Sequence, residues 1–81
     1  MHEKAITEKL IEDILLNVKD STFTAIKRVV VDVGTLTSYE STPIRHYFNL
    51  LKVDHELLKD AEIRVSMVDG EEIMLRELEV E

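Results

Sequence analysis

The stretch Ile26-Lys27-Arg28-Val29-Val30-Val31-Asp32-Val33-Gly34 decides the fold. Its β-branched residues, with Val29, Val31 and Val33 alternating against Arg28, Val30 and Asp32, carry the period of two that marks a half-buried strand. Gly34 closes it. Towards the N-terminus, Ile6, Leu10, Ile11, Ile14, Leu15 and Val18 follow helical spacing between Glu3 and Lys19, with Thr7, Lys9, Glu12 and Asp13 expected on the opposite face. Asp20-Ser21-Thr22 then breaks the helix. Towards the C-terminus, Ser41 or Thr42 is expected to cap a second helix with Pro43 in its first position. That helix carries the apolar stripe Ile44, Tyr47, Phe48 and Leu51, and the polar Asp54-His55-Glu56 leads out of it.

The last third reads as a hairpin. Ile63, Val65 and Met67 alternate with Glu62, Arg64 and Ser66, and Asp69-Gly70 is a favoured tight-turn pair. On the return strand Ile73 and Leu75 share one parity while Leu78 and Val80 share the other, so a bulge near Arg76-Glu77 is needed to bring all four to one face. The expected fold is therefore α+β in the order α-β-α-β-β, with two helices packed on one face of a three-stranded sheet.

The chain has 81 residues, 44% of them hydrophobic and 33% charged, which is enough for one small folded core and too little for two. A net charge of -7 is the wrong sign for a protein that binds nucleic acid by displacing counterions from phosphates. No apolar run exceeds three residues, so neither a membrane span nor a signal-peptide core is expected, and the reading is a cytoplasmic domain. The absence of cysteine removes disulfides, thiolate zinc sites and thiol nucleophiles together. With two glycines, no phosphate-cradling loop can form, and neither a Gly-x-Ser-x-Gly elbow nor a His-Glu-x-x-His helix occurs. The many carboxylates, among them Glu71, Glu72, Glu77, Glu79 and Glu81, read as solvated surface charge. An enzyme is not expected.

Three histidines remain. His46 falls off the apolar stripe of the second helix, and His55 sits in its polar exit; both read as surface residues. His2 differs through its neighbours. Its bulk is expected to protect Met1 from removal, which leaves the terminal amine, the His2 amide nitrogen and the His2 imidazole able to chelate one ion in fused rings. Glu3, His46, His55 or a partner's group could supply a fourth donor. Mostly nitrogen donors in a plane suit Ni(II) or Cu(II) better than Zn(II) or Mg(II). A helix start tolerates this arrangement because its first N–H groups have no carbonyl partner within the helix. A Met-His-Glu start also arises by chance, in which case His2 is a plain surface residue.

Taken in order, these segments resemble the HypA/HybF family of nickel-insertion proteins, and the likeness runs along nearly the whole chain. Met1-His2-Glu3, opening directly into an amphipathic helix, is similar to the family's N-terminal nickel motif. Val29 to Thr37 resembles its strand and the signature that ends it, from which Thr35 and Thr37 depart. Ile44-Arg45-x-x-Phe48-x-Leu50-Leu51 is similar to its second helix, and Asp60-Ala61-Glu62-Ile63 and Leu78-Glu79-Val80-Glu81 to the strands that enter and leave its zinc domain. The resemblance implies a nickel metallochaperone that takes Ni(II) transiently at Met1, His2 and Glu3. It would pass the ion to a hydrogenase precursor or a partner GTPase of the maturation pathway. One feature of the family is missing: its zinc domain, held by two Cys-x-x-Cys pairs, has no counterpart in a chain without cysteine. Residues 1–81 are accordingly expected to form a single nickel-binding-type domain in which a hairpin turn at 68–71 replaces the insertion, and no structural zinc is expected. The alternative is a metal-free adaptor or regulatory module that keeps the family fold. The sheet's two edges leave homodimerisation by edge pairing or strand exchange open.

Overall fold

The computed structural model describes residues 3–81. It contains α1 (Glu3–Val18), β1 (Ile26–Gly34), a 3-10 turn (Thr35–Thr37), α2 (Ser41–Leu51), a second 3-10 turn (Lys52–Asp54), β2 (Glu62–Val68) and β3 (Ile73–Val80). The order α-β-α-β-β and the α+β class are as the periodicities predict. Among the described residues no helix is long and apolar enough to cross a membrane.

The three strands form one mixed sheet in the spatial order β2-β1-β3. β1 runs parallel to β2 and antiparallel to β3. A parallel neighbour requires a crossover, and α2 supplies it between β1 and β2. Central placement explains why Val29, Val31 and Val33 are all fully buried. Together with Ile14 of α1, Ile44 and Phe48 of α2, and Leu58 of the link into β2, they form a single apolar core.

The hairpin expected in the last third is not what forms. β2 and β3 are not neighbours; they flank β1, and residues 69–72 carry the chain from one edge to the other across the end of β1. Two backbone bonds fasten this crossing: the Gly34 N–H donates to the Glu72 carbonyl and the Leu36 N–H to the Gly70 carbonyl, each at 2.9 Å. Asp69-Gly70 does mark a reversal, but only Gly70 takes positive φ, at 149°. Among the described residues Ser38 alone of the non-glycines does so, where it ends the first 3-10 turn. A turn signal reports that the chain reverses, not which strand lies beside which. The neighbour is set by burial, and the most apolar strand takes the centre.

The bulge expected near Arg76-Glu77 is present. Val30 faces Glu77 and Val31 faces Leu75, so Arg76 is the extra residue. As a result Ile73, Leu75, Leu78 and Val80 lie opposite Val33, Val31, Val29 and Ile26, the buried residues of β1. A second irregularity at Lys27 keeps Ile26 in phase with Val29. On the other face the displaced Arg76 grips Asp32 with two guanidinium nitrogens, Nε to Oδ2 at 3.0 Å and Nη2 to Oδ1 at 2.6 Å. Arg28 on the same face reaches carboxylates on both neighbouring strands, Glu62 at 3.4 Å and Glu79 at 2.8 Å.

Two helical details also differ from the sequence reading. α2 starts at Ser41 with Glu40 as the flanking residue and no side-chain cap, so Pro43 is third rather than first. It is tolerated there because the first-turn N–H groups have no intrahelical acceptor to lose. Thr7, expected on the polar face of α1, is fully buried. Its hydroxyl donates to the Glu3 carbonyl one turn back, which satisfies the only polar atom of the side chain and lets its methyl join the core face.

Candidate metal centre

Of the three residues expected to hold metal, Met1 and His2 lie outside the described residues, and Glu3 is the first residue of α1. Glu3 is only 3% exposed, unusual for a carboxylate in a terminal turn, and its carbonyl accepts the Thr7 hydroxyl. The buried face of α1 thus extends through Thr7 to Glu3, so the head of the helix is tied to the core. Glu3 N–H belongs to the first turn, whose amides lack an intrahelical carbonyl, so it is free of any helical bond that a ligand would have to break.

Hydropathy reasoning missed Thr7 as part of this arrangement. The usable signal was its spacing of four from Glu3, which is the distance at which a threonine hydroxyl bonds back to its own helix. The other two histidines are placed apart. His46 is exposed on α2, its ring set edge-on to Tyr47 with centroids 5.4 Å apart. His55 is half-buried on the wall of a groove beside α1, and its backbone N–H donates to the Lys52 carbonyl at 3.0 Å. Among the described residues no three of His, Asp or Glu converge on a point that could hold a metal ion.

Among the described residues, the Asp32–Arg76 pair on the open face of the sheet is the one place where an ionisable group is clearly perturbed. The bidentate hydrogen bonds from Arg76 hold the Asp32 carboxyl below its ordinary range against the opposing effect of burial, with a lesser contribution from the Arg76 charge. Arg76 is correspondingly raised by the same bonds. The pair is structural: it pins the bulge. The crossing at 69–72 offers only Asp69, Glu71 and Glu72 around Gly70, and no thiolate exists anywhere in the chain. These residues do not fit a structural zinc site of the Cys-x-x-Cys type.

The fold is shared with solved proteins. The solution structure of the Ni metallochaperone HypA from Helicobacter pylori superposes with a TM-score of 0.86 at 18% identity, covering 99% of this chain and 97% of that one. A second solution structure of a HypA protein superposes with a TM-score of 0.74 at 19% identity, covering 99% and 96%. No curated protein matches the chain in sequence. The family model described as "Hydrogenase/urease nickel incorporation, metallochaperone, hypA" matches residues 1–73, from the first residue through β2 to the start of β3, and the chain therefore belongs to the HypA family.

Proposed function

We propose that this protein carries Ni(II) at its amino terminus and delivers it to a nickel enzyme during maturation. The observation that carries the reading is that the family match starts at residue 1, immediately before a helix whose first described residue is anchored in the core. The terminal amine, the His2 amide nitrogen and the His2 imidazole supply three donors from two adjacent residues, and the Glu3 amide or carboxylate is the next group along the chain. A histidine in second place offers one fewer chelating amide than one in third place. A coordination position is then left for the acceptor's ligand, so the ion can be exchanged rather than stripped. The protein acts as a carrier and not a catalyst. Its partners on this reading are a hydrogenase or urease precursor, or a GTPase of the nickel pathway, in the cytoplasm.

The test uses protein with its native first residue. Ni(II) is titrated by calorimetry and by the ultraviolet–visible band of planar nickel, then again with His2→Ala and with a one-residue N-terminal extension. One equivalent should bind to the native protein and neither variant should retain the band. Retention in both would move the site to His46 or His55. Failure of the native protein to bind would leave the metal-free adaptor as the better description.

A further inference from the structure

An apolar groove lies away from the amino terminus, between the C-terminal two-thirds of α1 and the turn that follows α2. Its volume is about 630 Å³. Its floor and wall are Ile11, Leu15, Leu16 and Leu51, and Leu16 is 58% exposed on the outer side of α1, between the exposed Glu12 and Lys19. Glu8, Glu12 and Asp54 stand round the apolar surface, with Lys19 as the one fixed cation. Among the described residues none of these three carboxylates is in an ion pair, whereas Asp13, Glu56, Glu62 and Glu79 each are.

We infer that this groove docks an amphipathic helix of a partner protein, one whose apolar stripe is flanked by lysine or arginine. Two features select that occupant. The groove is walled by side chains of α1, whose interior backbone groups are already bonded within the helix, so it presents no strand edge. An extended peptide would leave its own N–H and carbonyl groups unpaired against the leucines, whereas a helix brings them satisfied. From Glu8 to Lys19 the wall rises about 16 Å, the length of about three helical turns. The sign of the rim sets the charge: three unpaired carboxylates against one lysine call for cations on the occupant. A second copy of this chain does not meet that need, since each carries a net charge of -7. The site is independent of nickel and goes beyond the delivery reading.

The probe is a fluorescently labelled helical peptide of about 14 residues, three to four turns, with leucines along one face and lysines on either side, alongside its counterpart with every lysine replaced by glutamate. Binding is followed by anisotropy, and the site by backbone amide shifts of labelled protein. The lysine peptide should bind and shift amides of 8–19 and 51–55. Glu8→Lys with Glu12→Lys should weaken it at least tenfold, as should Leu16→Ser. All three residues are exposed, so the variants should keep the wild-type circular dichroism and an unchanged Ni(II) titration. Equal binding of the glutamate peptide, or shifts centred elsewhere, would overturn the proposal. So would a concentration-dependent dimer, seen by sedimentation, that shifts the same amides, because the occupant would then be a second copy.

Discussion

Replacing Gly34 by alanine tests the account of how the sheet is closed. The backbone at Gly34 is ordinary extended chain, φ -68° and ψ 136°, which any residue adopts without strain. What requires glycine is space. A β-carbon there would overlap the Gly70 carbonyl and lie 2.9 Å from the Glu71 nitrogen, and these are backbone atoms that no rotamer change can move aside. The crossing from β2 to β3 must then lift off the end of β1. Both bonds that hold it, Gly34 N–H to Glu72 and Leu36 N–H to Gly70, should lengthen or break. At about 1 kcal/mol for each intramolecular hydrogen bond the loss is about 2 kcal/mol. For a domain of this size that corresponds to a fall in Tm of roughly 8–16 °C. Thermal and urea unfolding followed by far-ultraviolet circular dichroism give the magnitude, and amide exchange at Gly34 and Leu36 gives the cause. A Gly34→Ala protein within about 0.5 kcal/mol of wild type, with both amides still protected, would refute the reasoning. Gly70→Ala is the contrasting case, because a β-carbon there meets nothing within 4 Å and only the φ of 149° opposes it.

Further outcomes follow from the core and from the bulge. Leu58→Ala removes a fully buried side chain in the link before β2 and should cost about 2–5 kcal/mol, read as a lower urea midpoint at unchanged m-value. Arg76→Ala frees Asp32 from the bonds that depress its pKa. Because the folded value lies below the ordinary 3.8, the stabilisation is fully present above that pH and is lost as pH falls through the depressed value. The gap in urea midpoint between wild type and Arg76→Ala should therefore be constant from pH 7 to about pH 5 and close as the solution is acidified below about pH 4, a titration window set by linkage. A gap that widens on acidification would show that the Asp32 bond is not what Arg76 contributes.

Much of the architecture was legible because it is local. The six-residue apolar stripe of α1, the valine alternation of β1 and the parity change in β3 each declare themselves within a few residues, and the last points to a bulge near Arg76-Glu77, which the strand pairing narrows to Arg76. Thr7 was misread because hydropathy counts its hydroxyl as a demand for water, when the helix's own Glu3 carbonyl meets that demand. Leu58, fully buried, belongs to no periodic run, so nothing in its neighbourhood announced it. The strand order was misread for a different reason. Asp69-Gly70 and two flanking alternations make a good hairpin signal, yet β1 buries its whole inward face and needs a neighbour on each side. β2 and β3, with Glu62, Arg64, Glu77 and Glu79 on their outward faces, are the strands suited to the edges.

The candidate nickel donors at Met1, His2 and Glu3 are the part the sequence determines by itself, since donors on adjacent residues are joined covalently and need no fold to bring them near each other. Element identity is nearly as local, because helix and strand periods repeat within one or two turns of chain. Tertiary structure alone decided that β1 lies between β2 and β3, that Gly34 must be glycine because a distant loop crosses it, that Glu3 is drawn into the core, and that leucines of α1 and α2 border one groove. Each of those depends on competition among segments far apart in the chain for the same buried surface.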